Sequence, residues 1–275
     1  MKKKEFDRKI TTVDKPRIIH LNRQIPPEAH TPMYNFHKYW SRKTWNVVGE
    51  FIKTYSPEGG IVFDPFGGSG VTVIEALKNK RKAIVADISP LATELIRLTI
   101  KPVSLIKIQE ALERVEKLVK KKILALYVTK CRKCDYKFPI ECAIWIQDDC
   151  VDIRYKGCPN CGDKRVKNTP PTKFDTELLS KIEKHNIKEF YPKNRLYHVN
   201  GNPFKEKQKY ETLDELFTKR NLYALAILMD AIEKEANKDI KEVLKISFTS
   251  MVHLCSRIEF LQNSSCLKLR EVVNM

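Results

Sequence analysis

The sharpest change in the pattern of apolar and polar positions falls between Ile61 and Leu77. An apolar β-type run ends in Asp64, a glycine-rich segment follows, and a helix-compatible run begins near Val71. A second short apolar run, Ala83-Ile-Val-Ala86, ends in Asp87. These runs predict strands over 61–64 and 83–86 with a helix between them, the opening of a βαβ unit. A helical run upstream reaches Tyr55. A further helix is expected from about Leu91 to Thr99, stopped by Pro102. Ser104 then opens a long amphipathic helix with Leu105, Ile108, Leu112, Val115, Val119, Ile123 and Leu126 along one stripe. Ile140 to Tyr155 is rich in β-branched and apolar residues and suits a hairpin. Thr212 and Glu215 have capping-box spacing, and Leu222, Leu225, Ala226, Met229 and Ile232 repeat at helical intervals. Another helix is expected from about Asp239 to Ile258, packing with the long helix as a stalk. Only two convincing core strands emerge, and no internal repeat.

The turn after Asp64 has a definite chemistry. Three glycines and a serine occupy Gly67 to Gly70, so the backbone can approach a ligand where a Cβ would clash. The first free N–H groups of the following helix face the same place. Doubly wound α/β sheets bind nucleotide-like cofactors at this first βα turn, and an acid about 20 residues on takes the ribose hydroxyls. Asp87 stands there. Neither a G-x-x-x-x-G-K-[ST] pattern nor a G-x-G-x-x-G pattern is present.

Composition narrows the setting. No run approaches the roughly 18 apolar residues of a membrane span. Met-Lys-Lys-Lys-Glu-Phe-Asp-Arg-Lys at the start lacks an apolar h-region, so the expectation is a cytoplasmic protein without a membrane partner. Lys and Arg outnumber Asp and Glu by 51 to 34, a net charge of +17. Such a balance favours a polyanionic partner, although lysines spread along the chain also suit a solvated surface.

Four of the eight cysteines form two C-x-x-C pairs, Cys131/Cys134 and Cys158/Cys161, with 23 residues between them. Gly157 and Gly162 bracket the second pair; Lys130, Arg132 and Lys133 surround the first. A redox pair would stand alone near a βαβ start, whereas a doubled motif suits one tetrahedral Zn²⁺ in a zinc ribbon. Cys142, Cys150, Cys255 and Cys266 lack such spacing and read as small apolar residues.

Asp64-Pro-Phe-Gly-Gly-Ser-Gly70 resembles the cofactor motif of the DNA N-4/N-6 amino-methyltransferases. With the two cysteine pairs, Leu216-Phe-Thr-Lys-Arg-Asn-Leu222 and Phe248-Thr-Ser250, the chain is similar to the N-terminal part of the zinc-ribbon adenine-specific DNA methylases over roughly residues 30–258. That resemblance implies S-adenosyl-L-methionine along Asp64, Phe66, Gly68, Ser69 and Gly70, with Phe66 near the adenosine and Asp87 on the ribose. His37-Lys-Tyr-Trp-Ser-Arg-Lys43 looks like the family's segment that closes over the methionine end. The implied fold is α/β, a partial doubly wound (Rossmann-like) methyltransferase sheet with an inserted helical arm and zinc ribbon. The expected divisions are a basic arm over 1–30, a cofactor-binding portion over 31–103, the arm and ribbon over 104–172, a helical region over 173–258 and a divergent tail over 259–275.

Methylation of an exocyclic amine in such enzymes uses a [D/N/S]-P-P-[Y/F/W] motif that orients the amine and stacks on a flipped base. It is absent here. Pro26-Pro27 precedes Glu28 and Pro170-Pro171 precedes Thr172; Asn202-Pro203-Phe204, the nearest match, lacks the second proline. The expectation is a DNA methyltransferase acting on adenine N6 or cytosine N4 that is truncated, split or a decayed gene; in the split form a second polypeptide would carry the catalytic half. The alternative is a non-catalytic zinc-ribbon nucleic-acid-binding module, and RNA would share the amine chemistry.

Overall fold

The computed structural model describes residues 21–146, 149–165, 169–198, 200–204 and 210–257, and the backbone of Lys268–Val272. The chain divides into two compact units, Met1–Lys101 and Pro102–Met275.

In the first unit, a single helical turn at Pro32–Asn35 leads to α1 (Trp45–Tyr55), β1 (Ile61–Asp64), α2 (Val71–Lys78), β2 (Lys82–Val85) and α3 (Pro90–Thr99). β1 and β2 pair in parallel, with Ile61 opposite Lys82 and Phe63 opposite Ile84. The second strand starts and ends one residue earlier than its apolar run suggested: Lys82 N–H donates to Gly60 O at its start, and Ala86 N–H to Asp64 O just past its end. This parallel pair is the whole sheet of the unit among the described residues, so a full doubly wound sheet is not present. α2 packs on both strands. On the opposite face Ile61, Phe63 and Ile84 are 63%, 64% and 55% exposed. The lead-in is tied along α1: Asn46 Nδ2 donates to Pro26 O (2.8 Å), Trp45 Nε1 to Ala29 O (3.0 Å), and Arg23 pairs with Glu50.

The second unit opens with α4 (Leu105–Leu126), capped by Ser104 Oγ, which accepts from Lys107 N–H. β3 (Val128–Lys130) and β4 (Lys137–Pro139) form one antiparallel hairpin; β5 (Cys142–Ile146) and β6 (Asp149–Arg154) form another, extended by β7 (Lys268–Val272) beside β5. Three helices follow, α5 (Lys173–Glu183), α6 (Lys219–Glu233) and α7 (Lys238–Val252). Ala111, Val115, Val119, Ile123 and Leu126 of α4 pack with Ala143, Trp145, Ile153, Ile182, Ile227, Ala231, Ile232, Ile240 and Leu244 in one core.

Several expectations shift. Leu105 and Leu112 lie outside the buried stripe, and Ala111 takes the inner place, because near-perfect four-residue steps keep small and β-branched residues facing α6 and α7. The Ile140–Tyr155 hairpin forms, but its inner face (Ala143, Trp145, Ile153) joins the helical core rather than the cysteine cluster. Glu215 does reach back to Thr212 N–H (3.2 Å), yet it starts only a 3₁₀ turn at Asp214–Leu216. α6 itself is capped by Thr218, whose Oγ1 accepts from Asn221 N–H. The full capping box is at Thr172 and Asp175, opening α5. The last helix ends at Val252, short of Ile258, which lies outside the described residues. Leu216–Leu222 proves to be a core staple: Arg220 lies over the Tyr127 and Trp145 rings, and Asn221 accepts from Tyr127 Oη and donates to Cys255 O. No described helix is long and apolar enough to cross a membrane.

Candidate functional site

The glycine turn is built from the ends of β1 and β2 upward. Gly67 N–H donates to Ala86 O (3.0 Å), drawing the turn against β2. A Cβ at Gly67 would sit 2.3 Å from Val85 Cγ2, so only glycine allows that approach. Gly68 (φ +54°) and Gly70 (φ +87°) adopt left-handed conformations, and Gly70 is the N-cap of α2. Ser69 is half-buried between them, and Phe66 is 79% exposed beside the turn.

Two carboxylates frame this turn. Asp87 Oδ2 accepts from Gly68 N–H (2.7 Å) and Oδ1 from Ser89 N–H (2.8 Å). These donors hold its carboxyl below the ordinary range, Ser89 contributing most. Each oxygen keeps a lone pair for a further donor. Asp64 is buried; burial would raise its carboxyl, but hydrogen bonds from Lys43, Thr72 and Phe66 N–H outweigh that and keep it low. Lys43 Nζ lies 2.5 Å from Asp64 Oδ2 and 3.2 Å from Phe66 O, tying the upstream segment to the turn. The Tyr39 ring lies against Gly68, 3.5 Å from the position of an added Cβ, and burial followed by the Asp87 charge pushes its phenol up.

The His37–Lys43 segment thus meets the turn, through Tyr39 and Lys43. His37 is buried; its Nδ1 is 2.7 Å from Lys38 O, and its own carbonyl accepts from Arg42. Tyr39, Lys43 and Thr72 are at the turn and were not singled out by sequence. The cation six residues after His37 and just ahead of α1 was the available signal. Below the turn, the buried Glu75 of α2 accepts from Tyr34 Oη and pairs with Lys78 (2.7 Å), while Lys78 covers the Trp45 ring (4.8 Å). The same segment is therefore anchored at both ends.

In the second unit, Sγ atoms of Cys131, Cys134, Cys158 and Cys161 all lie within 4.8 Å of one another. Cys131–Cys161 and Cys134–Cys158 are 3.5 Å and 3.6 Å apart. Zn–S bonds of about 2.3 Å at tetrahedral angles place sulfurs about 3.8 Å apart, so the donor set fits zinc and could hold it. The two knuckles repeat one backbone scheme. Asp135 N–H and Gly162 N–H donate to Cys131 O and Cys158 O, and Cys131 N–H and Cys158 N–H donate to Tyr136 O and Asp163 O. Both Asp135 (φ +57°) and Gly162 (φ +71°) are left-handed, so the first knuckle places an aspartate where the second has the expected glycine. Phe138 and Tyr155 pack edge-on beneath the cluster, 4.9 Å between centroids. The thiols titrate against one another. The Asn160 side chain and Tyr136 N–H draw Cys134 down to about 6. Cys161, although Asp163 N–H opposes the change, is pushed up to about 12 by burial and by the other thiols. One divalent cation would satisfy all four as thiolates. Cys142 is fully buried, Cys150 and Cys255 are half-buried, and Cys266 lies outside the described residues.

Asn202-Pro203-Phe204 lies on a tight hairpin of the second unit. Tyr197 bridges Pro203, Phe204 N–H donates to Leu196 O, and the Phe204 ring lies tilted against His198, 4.5 Å between centroids. Asn202 is exposed, and its carbonyl accepts from His198 N–H.

A family model described as DNA methylase, of the N6/N4 type, matches residues 3–98, which contain the glycine turn, both framing aspartates and the anchored segment. No curated protein and no solved structure matches the chain.

Proposed function

We infer, from the match of residues 3–98 to the N6/N4 DNA methylase family model, that this chain binds S-adenosyl-L-methionine at the Asp64–Gly70 turn and serves methylation of an exocyclic amine in DNA. The observation that carries the reading is the Asp87–Gly68 link: an ionised carboxylate sits against a left-handed glycine, with free acceptor capacity beside a turn that the Tyr39 ring borders. Asp87 would take the ribose hydroxyls, Phe66 would lie near the adenosine, and Gly68, Ser69 and Gly70 would let the cofactor close on the backbone. Lys43 fixes Asp64 and the Phe66 carbonyl, so the floor of the site is set before the ligand arrives. The His37–Lys43 segment, buried at His37, would close over the methionine end of the cofactor. When bound, the cofactor supplies an electrophilic methyl group on a sulfonium.

Adenine N6 is the preferred target and cytosine N4 the other amine of the same chemistry; the zinc-ribbon resemblance supports adenine. Either amine is a poor nucleophile and needs acceptor oxygens and a stacking ring to present it. No residue pattern in the 275 supplies these, and Asn202 is the nearest substitute. Transfer is therefore proposed to need a D-P-P-Y-type segment from outside these 275 residues. The four-cysteine cluster favours one further reading, a zinc-ribbon nucleic-acid-binding module without catalysis.

Calorimetry with S-adenosyl ligands tests the first step. The wild-type chain should bind, and Gly68→Val, strained at φ +54° and aimed at Tyr39, should not. Binding of NAD in place of any S-adenosyl ligand would overturn the reading. A tritiated-methyl assay on mixed-sequence DNA tests the second step. Near-background turnover by the zinc-loaded chain is expected, and robust turnover lost in Asn202→Ala would make Asn202–Phe204 the catalytic loop.

A further inference from the structure

The hairpin β3–β4 carries two cations that the cysteine cluster does not use as ligands. Lys130 and Lys137 are directly paired across the antiparallel strands. Their ammonium groups both lie over the Phe174 ring, 5.2 Å and 5.4 Å from its centroid. Like charges set directly opposite destabilise a strand pair, so this arrangement costs free energy unless an anion joins it. The nearby carboxylates are engaged elsewhere. Asp175 is buried and accepts from Thr129 Oγ1 and from Thr172 N–H and Oγ1. Asp163 faces Arg165 and Tyr155, Glu141 pairs with Lys156, and Glu177 with Lys173. Asp135 pairs with neither lysine, and among the described residues no carboxylate does. Arg132 and Lys133 are exposed at the tip of the same hairpin, and Arg132 also donates to Pro170 O.

We propose that Lys130 and Lys137, seated on Phe174, clamp a backbone phosphate of duplex DNA. The ring face holds both ammoniums in place by cation–π attraction, so less side-chain freedom is lost on binding. A phosphodiester between them relieves their repulsion and accepts from both. The proposal rests on DNA being the partner of this chain. A competing role exists: four thiolates around Zn²⁺ carry a net negative charge, which neighbouring lysines would offset.

The test uses the full zinc-loaded chain, with anisotropy measured on a labelled mixed-sequence duplex at several salt concentrations. Lys130→Gln/Lys137→Gln should weaken binding and make the slope of log K against log[salt] shallower by about one, the loss of one phosphate contact. Lys121→Gln, an exposed lysine on α4, should leave the slope unchanged. Zinc content and S-adenosyl binding should be unaffected by the double change. An unchanged slope overturns the clamp, and zinc loss with an unchanged slope assigns the lysines to the metal centre. A wild-type chain that binds the cofactor but no duplex overturns the clamp together with DNA as partner, while leaving the cofactor reading intact.

Discussion

The two units hold their preformed loops by different means. Around the cysteines, Phe138 and Tyr155 pack beneath the cluster, and the same unit buries a core running from α4 to α7. In the first unit the sheet under the glycine turn has two described strands, and Ile61, Phe63 and Ile84 are exposed on its outer face. Parallel strands are usually covered on both faces. The turn is held instead by short polar links, Lys43 to Asp64 and Asp87 to Gly68, and by the buried Tyr34–Glu75 pair with the exposed Lys78 beside it. Geometry of a site and apolar burial are thus separable: a turn specified within a few residues can be well formed above a thin sheet. Two knuckles 27 positions apart need tertiary structure to meet.

The largest expected effect is in the cysteine unit. Cys158→Ser/Cys161→Ser removes half the donor set, so zinc should fall from one per chain to nearly none. The β3–β4 region should then lose hydrogen-exchange protection, because metal binding there is folding energy. S-adenosyl binding by the other unit should persist. Full zinc retention after dialysis would show that the cluster is not the metal centre.

A paired substitution tests the contrast in burial. Ile123 is 1% exposed at the centre of its core, and Ile123→Ala should cost about 2–5 kcal/mol in urea unfolding of that unit. Phe63→Ser, on the bare sheet face, should change stability by no more than about 0.5 kcal/mol. If Phe63→Ser costs as much as Ile123→Ala, that face is covered in solution and the contrast fails.

Within the turn, Asp87→Ala should weaken S-adenosyl binding by about 1.5–3 kcal/mol through lost hydrogen bonds to a charged group. Lys43→Met should weaken it by only about 1 kcal/mol, because Lys43 is half-exposed and its pair is screened. Calorimetry on both variants ranks them, and a larger effect at Lys43 would move the ligand's main contact to that side of the turn.

The smallest effect is with pH. Asp64 and Asp87 both have lowered folded-state values, so their contribution is complete above the ordinary carboxylate pKa of about 3.9 and is lost as pH falls through the lowered values. Cofactor binding should stay level from neutrality to about pH 4. Zinc should leave first on acidification, since its ligands must be thiolates. Cofactor binding that falls with a midpoint near pH 6 would contradict the assignment of Asp64 and Asp87.

The legible features were those the chain writes locally. Asp64, the glycines and Asp87 belong to one strand–turn–helix–strand unit, in which each position follows from the φ values and close approaches a βα turn requires. Each C-x-x-C likewise defines a knuckle within a few residues, although Asp135 shows that a left-handed position there need not be glycine. The hairpin over Cys142–Arg154 was legible as strands, but which core it would join was not. Its alternation fixes two faces without naming their partners.

Chain chemistry alone therefore determined the glycine turn, its two aspartates, the two C-x-x-C knuckles and the basic balance, because each depends on residue type and short spacing. Tertiary structure decided that Tyr39 and Lys43 meet the turn, and that Ala111 rather than Leu112 faces the core. It also decided that Phe174 of α5 would seat two lysines from the β3–β4 hairpin. Contacts between residues tens of positions apart depend on which faces find cover, and that competition among apolar surfaces is settled only when the whole chain packs.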